Sequence, residues 1–192
     1  MGNNSSLMLQ PEEIEELQQE TGFSRNQIVR LYSRFINLDK RGHGYLDRDD
    51  FLRIPELAIN PLGDRIVDAF FNESENDTED KVNFREFLRV LARFRPINKN
   101  KPSQLNNRES KLKFAFNMYD MNGNGLIARE EFEVILNMMV GANITPEQLQ
   151  SIADRTIAEA DADGDGMISF EEFCKAMEKT DIEQKMSIRF LH

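Results

Sequence analysis

The sequence predicts an all-α fold: four helix–loop–helix units in two paired lobes, with short paired strands between the loops. Two observations carry this. A twelve-residue loop pattern recurs with starts at Asp39, Glu75, Asp120 and Asp161. Apolar residues recur at helical spacing on either side of those loops, as at Ile28, Leu31, Phe35 and Leu38.

The strongest unit is DADGDGMISFEE (161–172), followed by DMNGNGLIAREE (120–131). Both fit D-x-[DN]-x-[DN]-G-x5-E, a calcium loop. Positions 1, 3 and 5 supply short oxygen side chains: Asp120, Asn122, Asn124 and Asp161, Asp163, Asp165. Position 6 is glycine because the chain turns sharply there. Position 7, Leu126 or Met167, offers its carbonyl. Position 12, Glu131 or Glu172, is long enough to bind through both oxygens. Position 8, Ile127 or Ile168, can pair with its partner loop as a short strand. Two calcium ions are expected. Loop four brings four carboxylates and loop three two, so loop four is expected to bind more tightly.

The other two loops are expected to hold no metal. DKRGHGYLDRDD (39–50) keeps Asp39, the turn Gly44, Leu46 and a helix-starting Asp47. Arg41 at position 3 is a permanent cation. His43 at position 5 is a softer ligand than calcium prefers, and Asp50 is one methylene short at position 12. In the second loop Glu75, Asp77, Glu79 and Glu86 keep charge, but Asp80 replaces the turn glycine.

Helix ends are marked. Ser24 with Gln27, and Thr145 with Gln148, form capping boxes, and Pro146 stands at a first helical position. Gly141 reads as a helix stop. Segment boundaries follow: an N-terminal tail and helix (1–22), an N-lobe (23–94), a linker (95–108), a C-lobe (109–180) and a C-terminal tail (181–192). The linker carries two prolines and no acidic residue and reads as a solvated connector.

Composition bounds the function. The chain of 192 residues is 40% hydrophobic and has a net charge of −10, which disfavours nucleic-acid binding. The single cysteine, Cys174, fits a reducing compartment and a small buried apolar role. Two histidines and one cysteine far apart give no catalytic constellation, so no enzyme is expected. No apolar run reaches the length of a membrane span, and a soluble cytosolic protein is expected. Gly2 with Ser6 fits M-G-x-x-x-[ST], predicting an N-terminal myristate. One acyl chain binds membranes only marginally, and the nearby residues are acidic, so a membrane-resident partner is expected to fix location. Met138, Met139, Val140 and Met177 are candidates for a groove that takes an amphipathic helix, and the amphipathic tail could cover it.

These features together resemble the calcineurin B homologous proteins of the EF-hand superfamily. The resemblance covers essentially the whole chain. It rests on the Gly2 start, ETGFS (20–24), RLYSRF (30–35), IPELAINPLGDRI (54–66), RFRP (93–96), MMVG (138–141), SIADRTI (151–157) and EQKMSIRFLH (183–192). It implies an essential cofactor of plasma-membrane sodium/proton exchangers that grips a juxtamembrane cytoplasmic helix and supports pH regulation. It also implies links to calcineurin inhibition or regulation, with the calcineurin catalytic subunit as partner, and to vesicle traffic. The implied setting is cytoplasmic and peripheral at the plasma membrane, with nuclear shuttling. The protein is expected to be monomeric apart from its target.

Overall fold

The computed structural model describes residues 8–72 and 80–182. Gly2, the second-loop positions Glu75, Asp77 and Glu79, and the tail beyond residue 182 lie outside the described residues.

Helix α1 (Pro11–Thr21) begins on a proline, with Glu13 accepting from the Gln10 N–H. It ends at Gly22, whose φ of 72° closes the last turn by donating to Gln18 O. Helix α2 (Arg25–Leu38) starts at the expected box: Ser24 accepts from Gln27 N, and Gln27 accepts from Ser24 N. The first loop follows, with strand β1 (Tyr45–Leu46) and then α3 (Arg48–Leu52), capped by Asp47.

After α3 the chain breaks into α4 (Pro55–Ala58) and α5 (Gly63–Phe71). Pro55 starts α4, as a proline can do only in a first turn. Gly63 allows α5 to press on α4, because a Cβ there would stand 2.0 Å from Leu57 O. Strand β2 (Val82–Asn83) and α6 (Phe84–Ala92) complete the N-lobe.

The C-lobe comprises α7 (Arg108–Tyr119), β3 (Leu126–Ile127), α8 (Arg129–Val140), α9 (Pro146–Ala160), β4 (Ile168–Ser169) and α10 (Phe170–Ala176). The strands pair antiparallel, Leu46 opposite Val82 and Ile127 opposite Ile168. Position 8 of each loop therefore meets position 8 of its partner, as expected. Gly141 ends α8, as expected, but not through a left-handed cap. Its φ is −57°, and a Cβ would lie 2.5 Å from Asn137 O. Close approach, not backbone handedness, requires the glycine.

The abundant phenylalanines form a chain through the N-lobe. Phe51 packs on Phe70 at 4.8 Å, Phe70 on Phe87 at 5.9 Å, and Phe35 on Phe84 at 5.4 Å between ring centroids. In the C-lobe Phe116 meets Phe170 and Phe173 edge-on.

The linker is not a loose tether. Arg108, assigned to it from the sequence, is the first residue of α7, and Asn107 caps that helix through Ser110 N at 2.8 Å. Asn106 donates to Pro96 O. Lys111 on α7 is fully buried and donates to the carbonyls of Arg93 and Arg95. Arg65 on α5 joins the lobes, donating to Met118 O and Asn117 O at 3.0 and 3.1 Å. Replacing Lys111 with Met would strand the two carbonyls. The expected loss is roughly 3 kcal/mol, read as a lower midpoint in urea unfolding.

Helix α1 is held to α6 by charge. Glu20 accepts from Arg85 and Arg89. Partial burial disfavours the Glu20 carboxylate, but hydrogen bonds and charge from Arg89 and Arg85 outweigh it and hold its carboxyl below the usual range. A lowered carboxyl adds stability that is complete above the unfolded value. That stability is lost as pH falls through the lowered, folded value. Arg89→Gln should therefore move the acid-unfolding midpoint upward, measured by circular dichroism.

Candidate metal centres

Asp161 follows the last turn of α9 and organises its loop. One oxygen accepts from Gly164 N at 2.8 Å and from Asp165 N, and the other from Gly166 N at 2.8 Å. Asp163 accepts from Asp165 N, and Asp165 from Met167 N. These bonds turn the three carboxylates inward. One oxygen from each of Asp161, Asp163 and Asp165 lies within 4.8 Å of the others. Glu172, on the first turn of α10, reaches back across the loop. Oε1 accepts from Ala162 N at 2.8 Å and Asp163 N at 3.2 Å, and Oε2 from Ser169 N at 2.9 Å.

Loop three repeats most of these bonds. Asp120 accepts from Asn124 N and Gly125 N, and Asn124 Oδ1 from Leu126 N. Glu131 spans the loop, accepting from Asn122 N at 3.0 Å and Ala128 N at 2.9 Å. Gly125 and Gly166 hold φ of 84° and 81°, which side chains resist.

Charge in loop four is self-opposed. The Asp165 N–H lowers the Asp163 carboxyl, but desolvation, repulsion from Asp165 and Glu172 and a side-chain hydrogen bond with Asp161 outweigh it and leave it raised. Glu172 is lowered by the N–H groups of Ser169 and Ala162. Converging hard oxygens that repel one another fit a divalent cation bound by oxygen. Asp161, Asp163, Asp165, Glu172 and the Met167 carbonyl would hold it in loop four. Asp120, Asn122, Asn124, Glu131 and the Leu126 carbonyl would do so in loop three.

Loop one keeps the scaffold and loses the cage. Asp39 accepts from His43 N at 3.0 Å and Gly44 N at 2.7 Å, the counterpart of the Asp120 bonds. Arg41 turns to Asp47 at 3.2 Å. His43 stacks on Tyr45, with centroids 5.1 Å apart. Asp50 is 2% exposed, and it accepts from Asp47 N and pairs with Arg53 at 2.9 Å. The glutamates of loops three and four reach backbone at position 3, whereas Asp50 bonds within its own helix start. Sequence reasoning misses Arg53, although its signal is there: a cation one helical turn beyond position 12. In loop two, Glu86 is buried and accepts from Asn83 N at 2.8 Å.

Known proteins are similar to this chain in sequence. The family model for an EF-hand domain pair matches residues 109–178, both intact loops. The calcineurin B subunit of Naegleria gruberi is 46% identical over 98% of this chain and 99% of its own length. The type 1 calcineurin B subunit of Dictyostelium discoideum is 41% identical over 99% of both chains. The calcineurin B subunit of Candida glabrata is 40% identical over 92% of this chain and 94% of its own. The chain belongs to the calcineurin B-like EF-hand family.

Family membership makes it a calcium-binding EF-hand regulatory protein of the calcineurin B type. The family expected from the sequence stands, and these relatives carry the name of calcineurin B itself.

Proposed function

We propose that this chain is a regulatory subunit that carries two calcium ions in the C-lobe and holds an amphipathic helix of a calcineurin-type phosphatase catalytic chain. The observation that carries the reading is the unfinished C-lobe core. Helix α6 buries seven residues, from Phe84 to Ala92, whereas α8 buries Ile135 alone. Val134, Met138 and Met139 on α8 and Ile152 on α9 stand 38–42% exposed. Methionines repack readily around a partner, and a helix with apolar residues at i, i+3, i+4 and i+7 suits such a face. The names of the relatives favour the phosphatase as the source of that helix.

A second reading keeps the sodium/proton exchanger's cytoplasmic helix as the target, with the protein as a cofactor for pH regulation. The dismantled cage of loop one favours it, since a lobe without calcium sensing suits a permanent transporter subunit. Acylation at Gly2 and a peripheral place at the plasma membrane belong to both readings.

Immobilised helices from a calcineurin catalytic chain and from an exchanger, each with and without calcium, separate them. Retention by the phosphatase helix, weakened by Met138→Glu, supports the first reading. Retention by the exchanger helix alone supports the second. Equal retention of wild type and Met138→Glu overturns the α8 face as the contact.

A further inference from the structure

Between the α1–α2 turn, the end of α6 and the segment 98–106 lies a cavity of about 480 Å³, within the ordinary range of ligand pockets. It is built from elements other than the α8 face. Its walls carry Arg89, Arg95 and Lys101 against the single carboxylate of Glu20. That carboxylate is taken by Arg85 and Arg89. Arg95 has no carboxylate partner among the described residues. It donates to Thr21 O at 2.9 Å and lies over the Phe23 ring, 4.9 Å from the centroid. Gly22 keeps this seat open, because a Cβ there would stand 2.4 Å from Arg95 Nη1. Burial lowers the Arg95 pKa, so the charge gains from an anion beside it.

A second group asks for a ligand of opposite character. Asn106 lines the cavity and is 5% exposed. Its Nδ2 donates to Pro96 O at 2.9 Å, which fixes the amide orientation. Its Oδ1 is then a buried acceptor without a hydrogen-bond partner. Such an atom is destabilising until a donor reaches it.

We propose that this cavity receives an acidic segment of a protein partner, a carboxylate against Arg95 and Lys101 and a peptide N–H donated to Asn106 Oδ1. A peptide supplies anion and donor a few bonds apart, as the two requirements demand. The volume exceeds what a lone small anion fills. The surrounding linker, 95–108, is basic in a chain of net charge −10, so acidic segments are drawn here and repelled elsewhere.

The test uses the full chain, calcium-loaded and 15N-labelled, titrated with a blocked peptide of consecutive glutamates. Parallel titrations use the glutamine peptide and inorganic phosphate. The Asn106 side-chain amide and Arg95 Nε–H signals should shift saturably with the glutamate peptide, with a Kd of about 1 mM or tighter. The glutamine peptide should leave them in place. Arg95→Gln should weaken binding about tenfold, as for a lost charge-assisted contact. Substitution at the exposed Lys101, Lys101→Gln, should weaken it less but measurably. Unmoved signals, equal effects of the two peptides, or unchanged affinity in Lys101→Gln would overturn the proposal. So would saturation by phosphate at lower concentration than by the peptide.

Discussion

Glu172→Gln is expected to cut the affinity of loop four for calcium by at least about 100-fold, removing one charge and the bidentate ligand. The same substitution should lower C-lobe stability. An ion present at about 1,000 times its Kd stabilises the folded state by roughly 4 kcal/mol, and most of that is lost when the site empties. The ion-free fold should also weaken. Glu172 now accepts N–H groups on both oxygens, from Ala162 and Asp163 on one side and Ser169 on the other. A glutamine turns an NH2 toward one of those donors, which costs about 1 kcal/mol. Glu131→Gln should have a smaller effect, since Asn122 and Asn124 leave loop three with less charge. Calorimetric titration and thermal melts at matched calcium would measure both. Equal microscopic affinities in the two variants would refute the ranking by ligand charge.

The loops were legible because their chemistry is local. Twelve consecutive residues set the ligands, the turn glycine and the strand partner, so Ile127 opposite Ile168 and Leu46 opposite Val82 could be foreseen. The capping boxes at Ser24 and Thr145 are likewise written within four residues. What escaped depends on distance. Lys111 is helical by pattern, and only the folded chain brings its ammonium to the carbonyls of Arg93 and Arg95. The same holds for Arg65 and α7, more than fifty residues apart. The linker read as solvated, and residues 98–102 are indeed exposed, but its two ends are pinned, by Lys111 at one and Asn106 at the other. Gly141 shows a subtler limit: the stop was legible, but its cause, contact with Asn137, was not.

Loop one should become a calcium site when its cage is rebuilt, and the structure says which residues must change. Arg41→Asp, His43→Asp and Asp50→Glu restore oxygen at positions 3, 5 and 12. The scaffold needs no repair, since Asp39 already holds the turn through His43 N and Gly44 N. A third ion should then bind in the range of regulatory loops, about 10⁻⁵ M or tighter. One obstacle remains in that triple variant. Arg53 pairs with the position 12 carboxylate from the next helical turn, and a longer glutamate must leave it to reach the ion. Adding Arg53→Gln removes that competitor, so the quadruple variant should bind more tightly than the triple. The order matters more than either value. If Arg53→Gln added nothing, Arg53 would be a bystander and the ligand substitutions alone would account for the gained site. If the natural loop already held a third ion, Arg41 would not be the barrier its charge implies. Calorimetry with Glu131→Gln and Glu172→Gln in the background isolates this site from the other two.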